Sequence, residues 1–163
     1  MDMISRIPDN LTELLDKVVF FTTSRRNVLY RNIREAQTPG FTPQDMPVDE
    51  FARIMNEAVI EHMTEQRLLF RDTNNIAFGR NGQMVLSTVT DERAQGLLQA
   101  NHDGYLEYQI GKLLENSLNR AVAEDLLKIK HETLAGSGSS HTGHAQLEAD
   151  PADGSASPWD SCE

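Results

Sequence analysis

A chain of 163 residues has room for one ordinary domain, or one small domain that carries long helices and a tail. Its formal charge of -10, with no cluster of Lys and Arg, excludes a nucleic-acid binder, which holds phosphates through grouped cations. Aromatic residues are 6% and charged residues 25% of the chain, and the apolar set is mostly Leu, Val, Ile, Ala and Met, as helix packing favours.

The first 30 residues carry Asp2, Asp9, Glu13 and Asp16 and lack a basic start followed by an apolar run, so no cleaved secretory signal is expected. The longest apolar run, Val18 to Phe21, falls far short of the roughly 20 residues that span a bilayer, so no membrane span is expected. Over residues 10–37, Leu11, Leu14, Leu15, Val18, Phe21, Val28, Leu29, Ile33 and Ala36 recur mostly at three- and four-residue steps, which predicts a helix. Leu11, Val18, Arg25 and Asn32 form one seven-residue row, and Leu14, Phe21, Val28 and Glu35 the next. This pattern suits either the core stripe of a helical bundle or an intermolecular coiled-coil seam. Arg25 and Arg26 read as a solvated or interface face of that helix. Thr38-Pro39-Gly40 stops it, because proline removes a donor and glycine accepts turn geometry.

The linker, residues 38–47, holds Pro39, Pro43 and Pro47 and favours extended backbone and turns. A second helix is expected over residues 48–71, capped by Asp49, with Phe51, Ile54, Met55, Ala58, Val59 and Met63 on one face. From residue 72 to 101 turn residues dominate. Met84–Leu86 and Thr88–Thr90 read as short strands there, and Asn81-Gly82 as a hairpin turn or loop tip. The third helix is expected over residues 105–134. There Leu106, Leu113, Leu127 and Leu134 fall on a seven-residue repeat interrupted by Arg120, and Ile110, Leu114, Leu118, Ala121 and Val122 widen the stripe. At about 45 Å it needs a partner helix of similar length, and the first segment has that length. After Ala135 the chain turns to Gly and Ser and then to an acidic stretch without Lys or Arg, which predicts a disordered tail over residues 135–163.

Little in the chain carries chemistry. Cys162 is the single cysteine, so neither an intrachain disulfide nor a thiolate metal site is available. His62 lacks a second ligand at set spacing, and His141 with His144 in the tail make at best a weak pair; Trp159 reads as part of a solvated tail. The carboxylates are spread along helix surfaces, Glu61-His62 and His131-Glu132 lack the second His of a zinc-protease helix, and Gly79-Arg80-Asn81-Gly82 is no phosphate loop. No enzyme activity, metal or cofactor is expected.

Asn32-Ile33-Arg34-Glu35-Ala36-Gln37-Thr38-Pro39-Gly40-Phe41 resembles the signature of bacterial flagellar axial proteins, Asn-Ile-Ala-Asn-Ala-x-Thr-Pro-Gly-Tyr at the end of an N-terminal helix. Thr42 to Phe51, with Asp45, Val48 and Asp49, is similar to the acidic and apolar run downstream of that signature in the proximal rod proteins of the flagellar basal body, the FlgB family. Asp103-Gly104-Tyr105, leading into a helix that contains Leu114-Glu115-Asn116-Ser117, is similar to that family too, with Tyr105 where the family's turn has Asn. The residues and the resemblance together give a mainly α protein organised as a helix and turn (1–40), a middle region with one amphipathic helix, loops and short β structure (41–104) and a C-terminal helix (105–134). Composition adds the disordered acidic tail (135–163), which exceeds the usual end of a rod protein. The N- and C-terminal helices would pair as a coiled coil. The resemblance further implies a torque-transmitting structural subunit of the periplasmic rod, exported by the flagellar type III apparatus without a cleaved signal peptide. Its partners would be other rod subunits, basal-body ring components and the export gate, in homo- and hetero-oligomeric assembly. The expected interface comprises Leu11, Leu14, Val18, Phe21, Val28, Asn32, Ile33, Thr38, Pro39, Gly40 and Phe41 from the first segment. Leu106, Ile110, Leu113, Leu127 and Leu134 join them from the last. A stand-alone helical adaptor or chaperone that binds a partner helix is the alternative.

Overall fold

The computed structural model describes residues 10–137. Helix α1 (Asn10–Arg34) is followed by strand β1 (Gln44–Asp45), helix α2 (Val48–Glu65), strands β2 (Ile76–Phe78), β3 (Met84–Leu86) and β4 (Val89–Thr90), and helices α3 (Glu92–Ala100) and α4 (His102–Ser137). The chain is mainly helical, as its periodicity predicts, with two small antiparallel pairings, β1 with β4 and β2 with β3.

α1 ends at Arg34, three residues short of the expected Gln37, and the Thr38-Pro39-Gly40 turn follows it. Phe41 N–H donates to Thr38 O at 3.1 Å, closing a turn with Pro39 and Gly40 in the middle. Gly40 has φ +75°, the left-handed value that the third position of a type II turn requires. Arg31 and Arg34 occupy the last turn of α1, where cations meet the negative end of the helix dipole. The linker then contributes β1, an element the three prolines do not announce.

α2 differs from expectation at both ends. Its N-cap is Pro47, and Asp49 lies inside the first turn beside Glu50, where it favours the dipole without capping. The helix stops at Glu65 rather than residue 71, because Gln66 adopts a left-handed conformation (φ 55°) and donates its N–H to His62 O. Arg67 and Arg71 fold back onto the Glu61 carboxylate, at 2.7 and 3.3 Å.

The β2–β3 hairpin turns through Gly82, whose φ of +70° explains the Asn81-Gly82 pair. Lys17 of α1 donates to the Gly82 carbonyl and ties the hairpin tip to the first helix. α3 is an element that the turn residues of this region conceal. Asp91 caps it by accepting the Ala94 N–H at 3.0 Å, and Gly96, a turn residue by type, lies inside it. Asn101 separates α3 from α4 and accepts the Gly104 N–H, so α4 begins three residues earlier than expected. It also runs through Gly136 to Ser137, past the expected start of the tail. His141, His144, Trp159 and Cys162 lie outside the described residues. Among those described, no helix is long and apolar enough to cross a membrane.

The apolar core lies between α1, α2 and the hairpin. Phe21 stacks on Phe51 with ring centroids 3.9 Å apart, and Val28, Met46, Ile54, Met55, Ile76 and Met84 close around them, with Leu14 and Val18 packed against the cluster. Leu14, Val18, Phe21 and Val28, all heptad positions of α1, are therefore covered from within the chain, by α2 and the hairpin. Truncating Phe21 to Ala would lose the stack and leave a void, so Phe21→Ala is expected to destabilise the chain by about 3–5 kcal/mol, read from the midpoint of chemical denaturation.

Candidate assembly interface

α4 packs antiparallel to α1 through a face richer in polar groups than the sequence suggests. Tyr105 donates its hydroxyl to the Asn32 carbonyl at 2.8 Å, and Asn116 donates to the Thr22 carbonyl at 2.7 Å. The Asn32 amide donates to Gln44 O of β1 at 2.6 Å and to Gln109 Oε1 at 3.2 Å, while its oxygen accepts the Gln44 N–H. Tyr105, Gln109, Asn116, Asn32 and Ala123 are all buried. At 3.6 residues per turn the four α4 members share one face, and Leu114, Leu118, Val122 and Ile129 centre on the opposite one. That opposite face is solvent-exposed: Leu114 is 62%, Leu118 60% and Val122 59% accessible.

A charge network sits where α1, β1, β4 and α4 meet. Arg25 grips Asp45 bidentately, Nε to Oδ1 at 2.9 Å and Nη2 to Oδ2 at 3.0 Å. Lys112 reaches Asp45 Oδ2 at 2.7 Å and also contacts Asp91, the cap of α3. Pairing of Gln44–Asp45 with Val89–Thr90 brings the two carboxylates to the same place. The group borders a 540 Å³ cleft that Tyr108 and Val48 also line. Arg25 is thus buried and ion-paired rather than on a solvated face, because β1 supplies a carboxylate that no helical pattern reveals. Arg26, in contrast, is half-buried on the flank of the helix.

The expected interface residues divide into three groups. Phe21, Val28 and Asn32 are buried within the chain, and Leu14 and Val18 are half-buried against its core. Ile33, Phe41, Leu106, Leu113 and Leu127 are half-buried at its edges. Leu11, Thr38, Pro39, Gly40, Ile110 and Leu134 are exposed. The leucine row of α4 thus borders the α1 contact, and Tyr105, Gln109, Lys112 and Asn116 occupy its centre. Polar residues at heptad spacing carry that information, but a search for apolar repeats passes over them. Arg120, which interrupts the repeat, pairs with Glu124 one turn on. Asn10 Nδ2 donates to His62 Nδ1 at 3.1 Å. Among the described residues no group of three or more His, Cys, Asp or Glu is arranged to hold a metal ion.

Burial pushes the Asp45 carboxyl up, but the hydrogen bonds and charges of Arg25 and Lys112 outweigh it and hold Asp45 below its ordinary range. Burial likewise pushes Lys112 down, and Asp45 and Asp91 together raise it above its ordinary value. Tyr105 is pushed up to about 12, by burial first and by the charge of Asp91 second, with Lys112 opposing. A depressed carboxylate contributes stability that is present above its unfolded value, about 3.9, and lost as pH falls through the lower folded value. A raised lysine or tyrosine contributes stability that is present below its unfolded value, about 10, and lost as pH rises through the folded one. Thermal stability is therefore expected to hold a plateau between about pH 4 and pH 10 and to fall on both sides. Asp45→Asn should flatten the acid limb and lower the plateau by about 3–5 kcal/mol, since it leaves the buried Arg25 without a carboxylate and Lys112 with Asp91 alone. Calorimetry across that pH range checks both.

Comparison of the chain with protein-family models, with curated proteins and with solved structures yields no match.

Proposed function

We propose that this chain is a structural subunit of the bacterial flagellar basal-body rod, non-enzymatic, and that it assembles with other rod subunits through its terminal helices. The observation that carries the reading is the outward apolar stripe of α4, from Ile110 through Leu114, Leu118, Val122 and Ile129, which no other part of the described chain covers. A row of this length on one helix is what a subunit presents to neighbouring helices, since monomers seldom leave large apolar patches in water. α4 is 36 residues, about 54 Å, and α1 is 25 residues, about 37 Å, so the antiparallel pair forms a stiff strut. Coaxial bundling of such struts as coiled coils would resist shear and transmit torque.

The resemblance to the proximal rod proteins supports the same reading from another side. Asn32 opens the signature segment and Asn116 belongs to the Leu-Glu-Asn-Ser segment, and both are the buried amides that join α1 to α4. Thr38-Pro39-Gly40 forms an exposed turn that redirects the chain at the end of α1. In this reading the chain resides in the periplasmic rod, reached by the flagellar export apparatus. It meets basal-body ring components and the export gate at the rod's base.

Leu118→Asp combined with Val122→Asp changes only exposed positions, so the purified variant should keep the helical circular dichroism and melting temperature of the parent. Cells that carry it as their sole copy should lose rod assembly and swimming. Normal swimming would overturn the proposal, and recovery of the chain on a soluble client, absent from basal bodies, would replace it with the adaptor reading.

A further inference from the structure

Two residues on the outer surfaces of α1 and α4 have no explanation within the chain. Tyr30 is 54% exposed on α1, a poor position for an aromatic residue in a helix that faces water. Gly111 lies inside α4, where glycine is less favourable than alanine, yet a β-carbon there would meet nothing within 4 Å. Neither internal packing nor backbone geometry requires it. A glycine on an open helix face permits close approach of something from outside.

Their neighbours are complementary. Tyr30 stands one turn from Arg26 and one turn from Arg34, in the row Arg26–Tyr30–Arg34. Gly111 stands one turn from Glu107 and one turn from Glu115, in the row Glu107–Gly111–Glu115. Each row is about 12 Å long, with the same angular drift. The arginine row brackets a projecting ring, and the glutamate row brackets a notch walled by Ile110 and Leu114. Glu107 and Glu115 are exposed, and among the described residues neither has an ion-pair partner. Arg26 Nε is buried without a hydrogen-bond partner among those residues, and Arg34 holds only an exposed pair with Glu35, which exchanges readily.

We infer that α4 of one copy docks on α1 of the next copy, with Tyr30 seated over Gly111 between two Arg–Glu pairs. The inference rests on the assembly reading and names its surfaces. Pairing of α4 with α4 is disfavoured, because Glu107, Glu115, Asp125 and Glu132 would face their counterparts with Lys128 as the main cation of that face. The α1 and α4 surfaces are different patches of one subunit, so the contact is heterologous. Each added copy leaves one of each patch free, and the chain of copies extends instead of closing as a two-fold dimer.

Charge exchange tests this with the full chain. Glu107→Arg/Glu115→Arg and Arg26→Glu/Arg34→Glu variants should each remain monomeric by sedimentation velocity under conditions in which the parent forms oligomers. An equimolar mixture of the two should form oligomers again, since basic α4 of the first variant then meets acidic α1 of the second. Gly111→Leu fills the notch while favouring helix, so it should raise the melting temperature and weaken association at least about tenfold. A parent that stays monomeric at its highest soluble concentration, a single exchange that associates as the parent does, or a mixture that stays monomeric overturns the contact. If the mixture fails while the Leu118 and Val122 variant still abolishes swimming, this contact is wrong and the rod reading stands. If the mixture recovers but cells without the chain swim, the rod reading fails and the contact stands.

Discussion

The bidentate grip of Arg25 on Asp45, extended through Lys112 to Asp91, is the constraint on which the arrangement of helices depends. It draws one residue each from α1, β1 and α4 together with the residue that caps α3, and it balances two cations against two carboxylates. Burying such groups costs several kcal/mol each in lost hydration, and their mutual attraction offsets this only when geometry is close to ideal. A network of this kind adds little net stability compared with apolar packing. It does penalise any other register of α4 on α1, because a shift by one turn would leave Lys112 without its carboxylates.

Around this network two kinds of surface divide the labour. The apolar core between α1, α2 and the hairpin draws no residue from α4. The α1–α4 seam is the most extensive contact between helices, and its centre is made of directional bonds: Tyr105 and Asn116 each donate to a main-chain carbonyl of α1, and Asn32 connects both helices to β1. Directional bonds fix angle and register, and apolar area supplies adhesion. The long helix applies the first to its own subunit and leaves most of the second facing outward.

Helices were legible in the sequence wherever their apolar periodicity was long. The stop at Thr38-Pro39-Gly40, the turn at Gly82 and the strand Met84–Leu86 were legible too, because proline, glycine and β-branched residues act locally. β1 and α3 were not. The first has two residues and exists through pairing with a strand 45 positions away, and the second carries a glycine at its centre and spans nine residues. The orientation of α4 was the larger omission. Leu106, Leu113 and Leu127 suggested a leucine seam, and they do flank the contact, but Tyr105, Gln109 and Asn116 at the same spacing occupy it. A buried Gln or Asn cannot be distinguished from an exposed one until its partner is known. The fate of Arg25 was hidden for the same reason, since Asp45 sits in a segment whose prolines signal only a loop.

The bonds that seat α4 connect residues far apart in the chain: Tyr105 with Asn32, and Asn116 with Thr22. Contacts of such separation form late, after local helices and hairpins have already gained stability. With the register those bonds set, Asn10 lies level with about residue 128, so the last turns of α4 run past the first described turn of α1. The turns of α4 beyond that level have no α1 beside them among the described residues, so they can fray while the buried stretch from Tyr105 to Ala123 stays seated. The amide hydrogens of those last turns would exchange with solvent first, and exchange would slow towards Asn116.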